Sequence, residues 1–166
     1  MKTDQELVEA CRRGDEAAFR TLFGRHREWV LALAWRFCRN RTDAEDVLQE
    51  AFTYLFRKLQ GLELRSAFKT FLYPVVKHLA LDRREKSRRE SPQAALPEPA
   101  GRGRSGERLE DLLSGLSEVQ QEVVLLRFAD GLSLEEIARA LEVPLGTVKS
   151  RLHSALELLR KNSTER

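Results

Sequence analysis

The sequence predicts an all-α fold, built as two small helical domains that a flexible linker joins. Apolar residues recur every three or four positions from Asp4 to about Glu90, with almost no alternation of period two. A segment rich in proline and glycine interrupts this pattern, which then resumes. With 42% hydrophobic and 33% charged residues, the 166-residue chain can fill packed cores and keep a solvated surface.

The N-terminal domain, residues 1–90, begins with two predicted helices. Thr3 and Glu6 stand three residues apart, as in a capping box, and Gly14 ends the first helix. The next stretch repeats apolar residues at helical spacing, which predicts a second helix on the same core. Its predicted core residues are Phe19, Leu22, Phe23, Val30, Leu33, Ala34 and Phe37.

A third and a fourth helix complete this domain. Thr42 and Glu45 predict another capping box, and Gly61 ends a helix of about five turns whose length indicates a central position. The fourth segment contains Pro74, which removes an amide donor and clashes with the preceding turn. The helix therefore either kinks at Pro74 or begins near Tyr73 with the proline in its first turn.

Residues 91–106 are predicted to be the flexible linker. They hold three prolines and three glycines without apolar periodicity, so they cannot bury enough surface to offset their ordering entropy. Helical spacing resumes with Leu109, Leu112, Leu113 and Leu116. A helix capped by Ser117 and Gln120 and ended by Gly131 follows, so residues 107–166 form a second domain.

The stretch from Gly131 to Lys161 has the pattern of a helix-turn-helix. Ser133 and Glu136 predict a capping box for a short first helix. The inner face of that helix consists of Leu134, Ile137, Ala138 and Leu141.

A turn over residues 142–146 comes next, because Pro144 cannot continue the helix and Gly146 tolerates close approach. The second helix begins at about Thr147. Its inner face is predicted to consist of Val148, Leu152, Ala155 and Leu159.

The outer face of this second helix is small and rich in hydrogen-bond donors, as a recognition helix in the major groove requires. Lys149 and Arg151 are expected to contact phosphates, and the other polar side chains are expected to reach base edges. The alternative is a plain antiparallel helix pair in a bundle. The candidate DNA-contacting residues are Thr147, Lys149, Ser150, Arg151, His153 and Ser154.

Charge is distributed unevenly in the N-terminal domain. The third helix carries carboxylates opposite its apolar stripe, although the helix macrodipole equally explains those of its first turn, Asp43 and Glu45. Between Arg65 and Glu90 there are eight Lys/Arg against three Asp/Glu, in a chain whose net charge is +3. The aromatic side chains among them are typical of surfaces that bind single-stranded DNA, although some belong to the core, as expected for Phe68 and Phe71.

Two stretches resemble a known family. LSLEEIARALEVPLGTVKSRLHSA is similar to the fourth conserved region of extracytoplasmic-function sigma factors, of the sigma-70 family, and TDAEDVLQEAFTYLFRKL is similar to their second region. The order of the two stretches, their spacing and the linker between them agree with the pattern of that family. The resemblance implies that the chain is a sigma factor, which directs RNA polymerase to promoters, and not an enzyme.

The resemblance also implies roles for particular residues. The polymerase core enzyme would bind Asp43, Asp46, Gln49 and Glu50. The promoter's minus-ten element would be recognised and melted by the basic segment, with a flipped base held by the connection 61–66. Its expected contacts are Arg65, Tyr73, Lys77, His78, Arg83 and Arg84. The helix-turn-helix would read the minus-thirty-five element.

The sequence departs from the family pattern at four positions, so no relative's promoter sequence can be transferred. Phe71 stands where the family usually has Trp, and His78 where it often has Asn. Pro74 is unexpected in this segment. Ser154 replaces a common Arg after His153, which removes one expected DNA contact.

Partners and compartment follow from composition and from the resemblance. No apolar run is long enough to insert into a membrane, so the cytoplasm is expected, and Cys11 and Cys38 are expected to be buried small hydrophobes. No metal site or cofactor is predicted. Expected partners are RNA polymerase core enzyme, promoter DNA and an anti-sigma factor. Two alternatives remain: a helix-turn-helix repressor or activator that acts without polymerase, and a regulator that binds only proteins.

Overall fold

The computed structural model describes residues 1–62, 64, 66–90 and 113–164. These residues form seven α-helices and one short 3-10 helix, with no strand among them, which confirms the all-α prediction. The chain divides into two compact units, Met1–Glu98 and Pro99–Arg166. The predicted linker lies outside the described residues.

The first unit contains α1 (Asp4–Arg12), α2 (Glu16–Cys38), α3 (Arg41–Lys58), a 3-10 helix (Leu59–Gly61) and α4 (Phe68–Glu90). The third helix has the predicted length of about five turns, with 18 residues, and contacts α2, α4 and the 3-10 helix. The 23-residue α2 contacts each of the other three α-helices, so it shares the central position.

The core of this unit lies between α2, α3 and α4. Of the residues predicted on α2, the aliphatic ones are fully buried, whereas the three phenylalanines are only partly buried. The Phe23 ring packs edge-on against Phe52 with centroids 4.7 Å apart. The cysteines are buried as expected, and burial raises the pKa of the Cys38 thiol to about 11, so the thiol stays protonated at neutral pH.

Helix caps confirm one local prediction and correct another. The Thr3 hydroxyl accepts from the Glu6 amide at 3.2 Å, and the Glu6 carboxylate accepts from the Thr3 amide at 2.6 Å, which completes the predicted capping box. The capping box at Thr42 is wrong. Asn40 caps α3 instead, because its side-chain oxygen accepts from the Asp43 amide at 2.9 Å.

Pro74 lies inside α4, six residues after the helix begins at Phe68. The helix therefore does not begin near Tyr73. Because proline has no amide hydrogen, the carbonyl of Thr70 loses the donor that a helix normally supplies four residues later. The Thr70 hydroxyl is also buried and has no hydrogen-bond partner within the described part of the chain.

A buried histidine ties α1 to α2. His26 is 5% exposed, its Nε2 lies 2.9 Å from an Asp4 carboxylate oxygen, and its ring packs 4.4 Å from that of Phe68. Arg25 contacts the other oxygen of Asp4 at 2.5 Å. Burial lowers the pKa of His26, although Asp4 partly opposes this effect, and Lys69 and Arg25 add to it.

The lowered pKa of His26 predicts a loss of stability in mild acid. As pH falls below the unfolded-state value of about 6.5, the unfolded chain binds the proton first, so the free energy of unfolding decreases until the folded-state pKa is passed. Urea unfolding at pH 7.5 and 5.5 checks this. We expect His26→Gln to show a smaller difference between the two pH values, and an equal difference would contradict the assignment.

The second unit contains α5 (Glu118–Phe128), α6 (Leu134–Leu141) and α7 (Leu145–Thr164), which all contact one another. Leu113, Leu116, Val124 and Ala155 form a buried cluster, against which Leu152 and Leu159 pack. The Gln120 side chain accepts from the Ser117 amide at 3.0 Å, as the predicted cap requires. None of the helices described in either unit combines the length and apolarity needed to cross a membrane.

Candidate nucleic-acid interface and acidic helix face

The helix-turn-helix forms as predicted, except at its turn. The Ser133 hydroxyl accepts from the Glu136 amide at 3.1 Å, and the Glu136 carboxylate accepts from the Ser133 amide at 2.8 Å. Glu142 ends α6 in the left-handed region with φ 54°, which costs a non-glycine residue energy. The turn is shorter than predicted, because α7 begins at Leu145 rather than at about Thr147.

Two rows of polar side chains border the outer surface of α7. The first row is formed by the exposed residues Lys149, Ser150 and His153, because His153 lies three residues after Ser150 and four after Lys149, about one helical turn from each. Thr147 and Arg151 are partly buried and, with exposed Ser154, form the second row at spacings of four and seven. Burial of Val148 and Ala155 against the rest of the unit determines which way these rows point.

Gly146 corrects a sequence prediction. It lies in the first turn of α7, and a Cβ built on it meets nothing within 4 Å. No other described part of the chain therefore approaches this glycine closely, contrary to the expectation for the turn.

Several basic side chains of α4 lie against carboxylates of the same unit. Arg89 lies 3.1 Å from Glu85, Lys86 lies 3.9 Å from Glu90, and His78 lies 3.2 Å from Asp82. Arg83 binds two carboxylates of α3. Among described residues, Arg84 and Arg88 are exposed and have no ion pair, and they stand one helical turn apart.

The other residues predicted to contact the minus-ten element differ in how far the structure exposes them. Tyr73 is 1% exposed, so its ring lies in the core and cannot stack on a base from this position, which corrects its assignment. Lys77 is partly buried, with its ammonium 5.8 Å from the centre of the Phe37 ring, whereas the His78 side chain is 76% exposed. Phe68 is buried as expected and Phe71 is partly buried. Arg65 lies outside the described residues.

The predicted acidic face of α3 divides into an inner and an outer part. Asp43 is 8% exposed, and its oxygens accept from Arg83 Nε at 3.1 Å and from the Ser87 hydroxyl at 2.8 Å. Asp46 is partly buried and accepts from the same guanidinium. Gln49 and Glu50 are exposed. Asp43 of α3 and Arg83 of α4 are therefore internal partners of each other rather than contacts for another molecule.

Sequence reasoning missed two exposed aromatic residues on α3, Tyr54 and Phe56, of which Phe56 is the more exposed. Phe56 is 62% exposed and lies seven residues, or two helical turns, after Gln49. Its ring packs edge-on against Phe19 with centroids 5.6 Å apart, which restricts its orientation. The seven-residue spacing between Gln49 and Phe56 could have indicated this position, but Phe56 was not distinguished from the apolar residues of the same helix that form the core.

The Arg83 junction with Asp43, Asp46 and Ser87 predicts that Arg83→Met destabilises the first unit. Methionine keeps the apolar stem but leaves Asp43 buried without a cation. We expect the free energy of unfolding to fall by about 2 kcal/mol. This is less than for a fully buried ion pair, because Arg83 is partly exposed. Urea unfolding followed by tryptophan fluorescence measures this, since both tryptophans lie on α2.

Arg89→Met is the control for that experiment. The Arg89 side chain is 76% exposed and, within the described residues, pairs only with Glu85 on its own helix, so its loss should change stability by less than about 0.5 kcal/mol. Equal unfolding midpoints for the two variants would show that the junction adds no stability.

Two family models match the chain. The model of sigma-70 region 2 matches residues 22–90, and the model of sigma-70 region 4 matches residues 106–159. The chain is similar to the ECF RNA polymerase sigma-E factor of Haemophilus influenzae, with 32% identity over 95% of this chain and 93% of the relative. It is also similar to the ECF RNA polymerase sigma factor SigW of Bacillus subtilis, with 27% identity over 95% of each chain.

Two solved structures share the fold. CnrH, in complex with the cytosolic domain of CnrY, has a TM-score of 0.72 at 22% identity over 99% of each chain. The sigma factor RpoE, in complex with the anti-sigma factor NepR from Bartonella quintana, has a TM-score of 0.66 at 24% identity over 86% of this chain and 94% of that one. The paired regions do not favour a stand-alone repressor or activator. The chain belongs to the extracytoplasmic-function sigma factors of the sigma-70 family.

Proposed function

We propose that the two units divide the work of promoter-specific initiation. Residues 1–90 bind RNA polymerase core enzyme and open the minus-ten element, residues 107–166 read the minus-thirty-five element, and residues 91–106 join them. The observation that carries this division is that each unit presents its own polar face: α3 and α4 in the first, α7 in the second.

The polymerase-docking face consists of Gln49 and Glu50 on α3, with Asp46 at its inner edge and Phe56 at its far end. Support comes from their exposure and from the helical spacing that brings them to one side. Carboxylates at the centre orient a cationic partner, and an aromatic ring at the end supplies apolar contact.

The minus-ten face consists of the exposed Arg84 and Arg88 on α4, with Lys77 about two turns before Arg84 on the same side and His78 at the edge of the face. Cations that form no ion pair in the described chain are available to phosphates, where each displaces condensed counterions. Trapping unstacked bases drives strand opening without hydrolysis. The factor therefore supplies recognition and melting, and the polymerase supplies catalysis.

The minus-thirty-five face is the outer surface of α7. Lys149 and Arg151 neutralise phosphates, and Ser150, His153 and Ser154 reach base edges in the major groove. We place the factor in the cytoplasm with the polymerase. The structural neighbour RpoE, which is bound to the anti-sigma factor NepR, supports a further partner, an anti-sigma factor that holds this chain inactive.

Run-off transcription with purified core enzyme tests the proposal. A library of promoter fragments should yield discrete transcripts only when this chain is added. The chain alone should bind the same fragments weakly. Tight binding of duplex DNA by the isolated chain, without polymerase-dependent transcripts, would instead establish a stand-alone repressor or activator.

A further inference from the structure

Gly146 is a glycine that the described fold does not need. It is exposed, is the second residue of α7, has no positive φ, and a Cβ at its position would meet no atom of the described residues within 4 Å. Glycine inside a helix is unfavourable relative to alanine, because it loses more backbone entropy on folding. An alanine at this position would therefore fit without strain, so the reason for glycine lies outside the described part of the protein.

The position of Gly146 on α7 indicates what that reason is. Lys149, Ser150 and His153 follow it by three, four and seven residues, so all four lie on one face and extend about 10.5 Å along the helix. The three side chains are exposed, and the His153 side chain is 77% exposed. Gly146 is thus the N-terminal member of the polar row that contains the candidate DNA contacts.

We propose that Gly146 lets promoter DNA pack directly against the backbone of α7. A helix with its side chains is about 10–12 Å wide, and the major groove is about 12 Å wide, so the helix fits with little spare room. A side chain at Gly146 would hold the first turn away from the duplex and weaken the contacts of Lys149 and Ser150. This inference rests on the proposed reading of the minus-thirty-five element by α7.

The test uses opposite effects of one substitution on stability and on DNA binding. Gly146→Ala should raise the melting temperature of the full-length protein, and should weaken holoenzyme binding to a minus-thirty-five-dependent promoter by about tenfold or more. Gly146→Leu should weaken it further. The promoter duplex is one selected from a random library with wild-type holoenzyme, and its affinity is measured by competition.

Gly24→Ala is the matched control. Gly24 is likewise exposed, lies inside α2, and would bring a Cβ within 4 Å of none of the described residues, but it is in the other unit. We expect it to raise the melting temperature and leave promoter affinity unchanged.

The outcomes separate this inference from the function on which it rests. If Lys149→Ala weakens promoter binding but Gly146→Ala and Gly146→Leu do not, the close approach at Gly146 is refuted and the reading helix stands. If wild-type holoenzyme binds equally with and without the minus-thirty-five element, the proposed function of α7 itself fails. A fall in melting temperature for Gly146→Ala would assign the glycine a structural role and overturn the inference.

Discussion

Reversing charge at Arg84 and Arg88 together should abolish open-complex formation while leaving polymerase binding intact. Both side chains are exposed, lie one turn apart on α4, and have no ion pair among described residues. Replacing both with Glu changes two phosphate attractions into repulsions, so we expect promoter affinity to fall about 100-fold or more, with a weaker salt dependence. Permanganate reactivity of promoter thymines measures strand opening.

The matched control is the double variant Lys86→Glu, Arg89→Glu. It makes the same change in net charge on the same helix, but Lys86 lies on the opposite side from Arg84 and Arg88, and Arg89 lies about a quarter turn round the helix from Arg88. Its residues are already paired with Glu90 and Glu85, and exposed pairs of this kind contribute little stability. If both double variants lose promoter melting equally, net charge alone explains the loss, and α4 has no specific DNA-binding face.

Glu50→Lys should weaken association with core polymerase by about 100-fold, or roughly 2.7 kcal/mol. Glu50 is exposed beside Gln49, in the proposed docking face, and a lysine there would repel a cationic partner surface. The loss should shrink at high salt, because exposed charges are screened. Anisotropy of a labelled chain titrated with core enzyme gives the affinity, and the urea midpoint should stay unchanged.

Glu28→Lys is the control for that substitution. Glu28 is exposed on α2, outside the proposed face, and pairs with its neighbour Arg27 at 3.2 Å. The change in charge is identical, so its affinity for polymerase should remain near that of the wild type. If Glu50→Lys binds core enzyme as tightly as wild type, α3 does not dock through this face.

Local signals in the sequence predicted much of the fold. The boxes at Thr3 and Ser133 formed because a capping side chain and its partner lie only three residues apart, so no distant element has to cooperate. At Thr42 the same signal failed. Asn40, two residues earlier, accepts from the Asp43 amide and caps α3, so the helix already begins at Arg41 and Thr42 lies inside it.

The candidate site was less predictable, because spacing along a helix shows which residues share a face but not what covers that face. Asp46, Gln49 and Glu50 look alike in sequence, yet only the first is reached by the Arg83 guanidinium. Tyr73 lies within a basic segment that resembles a DNA-binding surface, and packing buries it.

The sequence by itself determined that this chain is helical, that it forms two units, and that the second contains a helix-turn-helix, because helical periodicity, caps and turns are properties of neighbouring residues. Only the tertiary structure decided which charges remain available to partners. Asp43 and Arg83 are 40 positions apart, and their pairing depends on how α3 packs against α4. That packing removes both residues from the predicted interfaces and leaves Glu50, Arg84 and Arg88 on the surface.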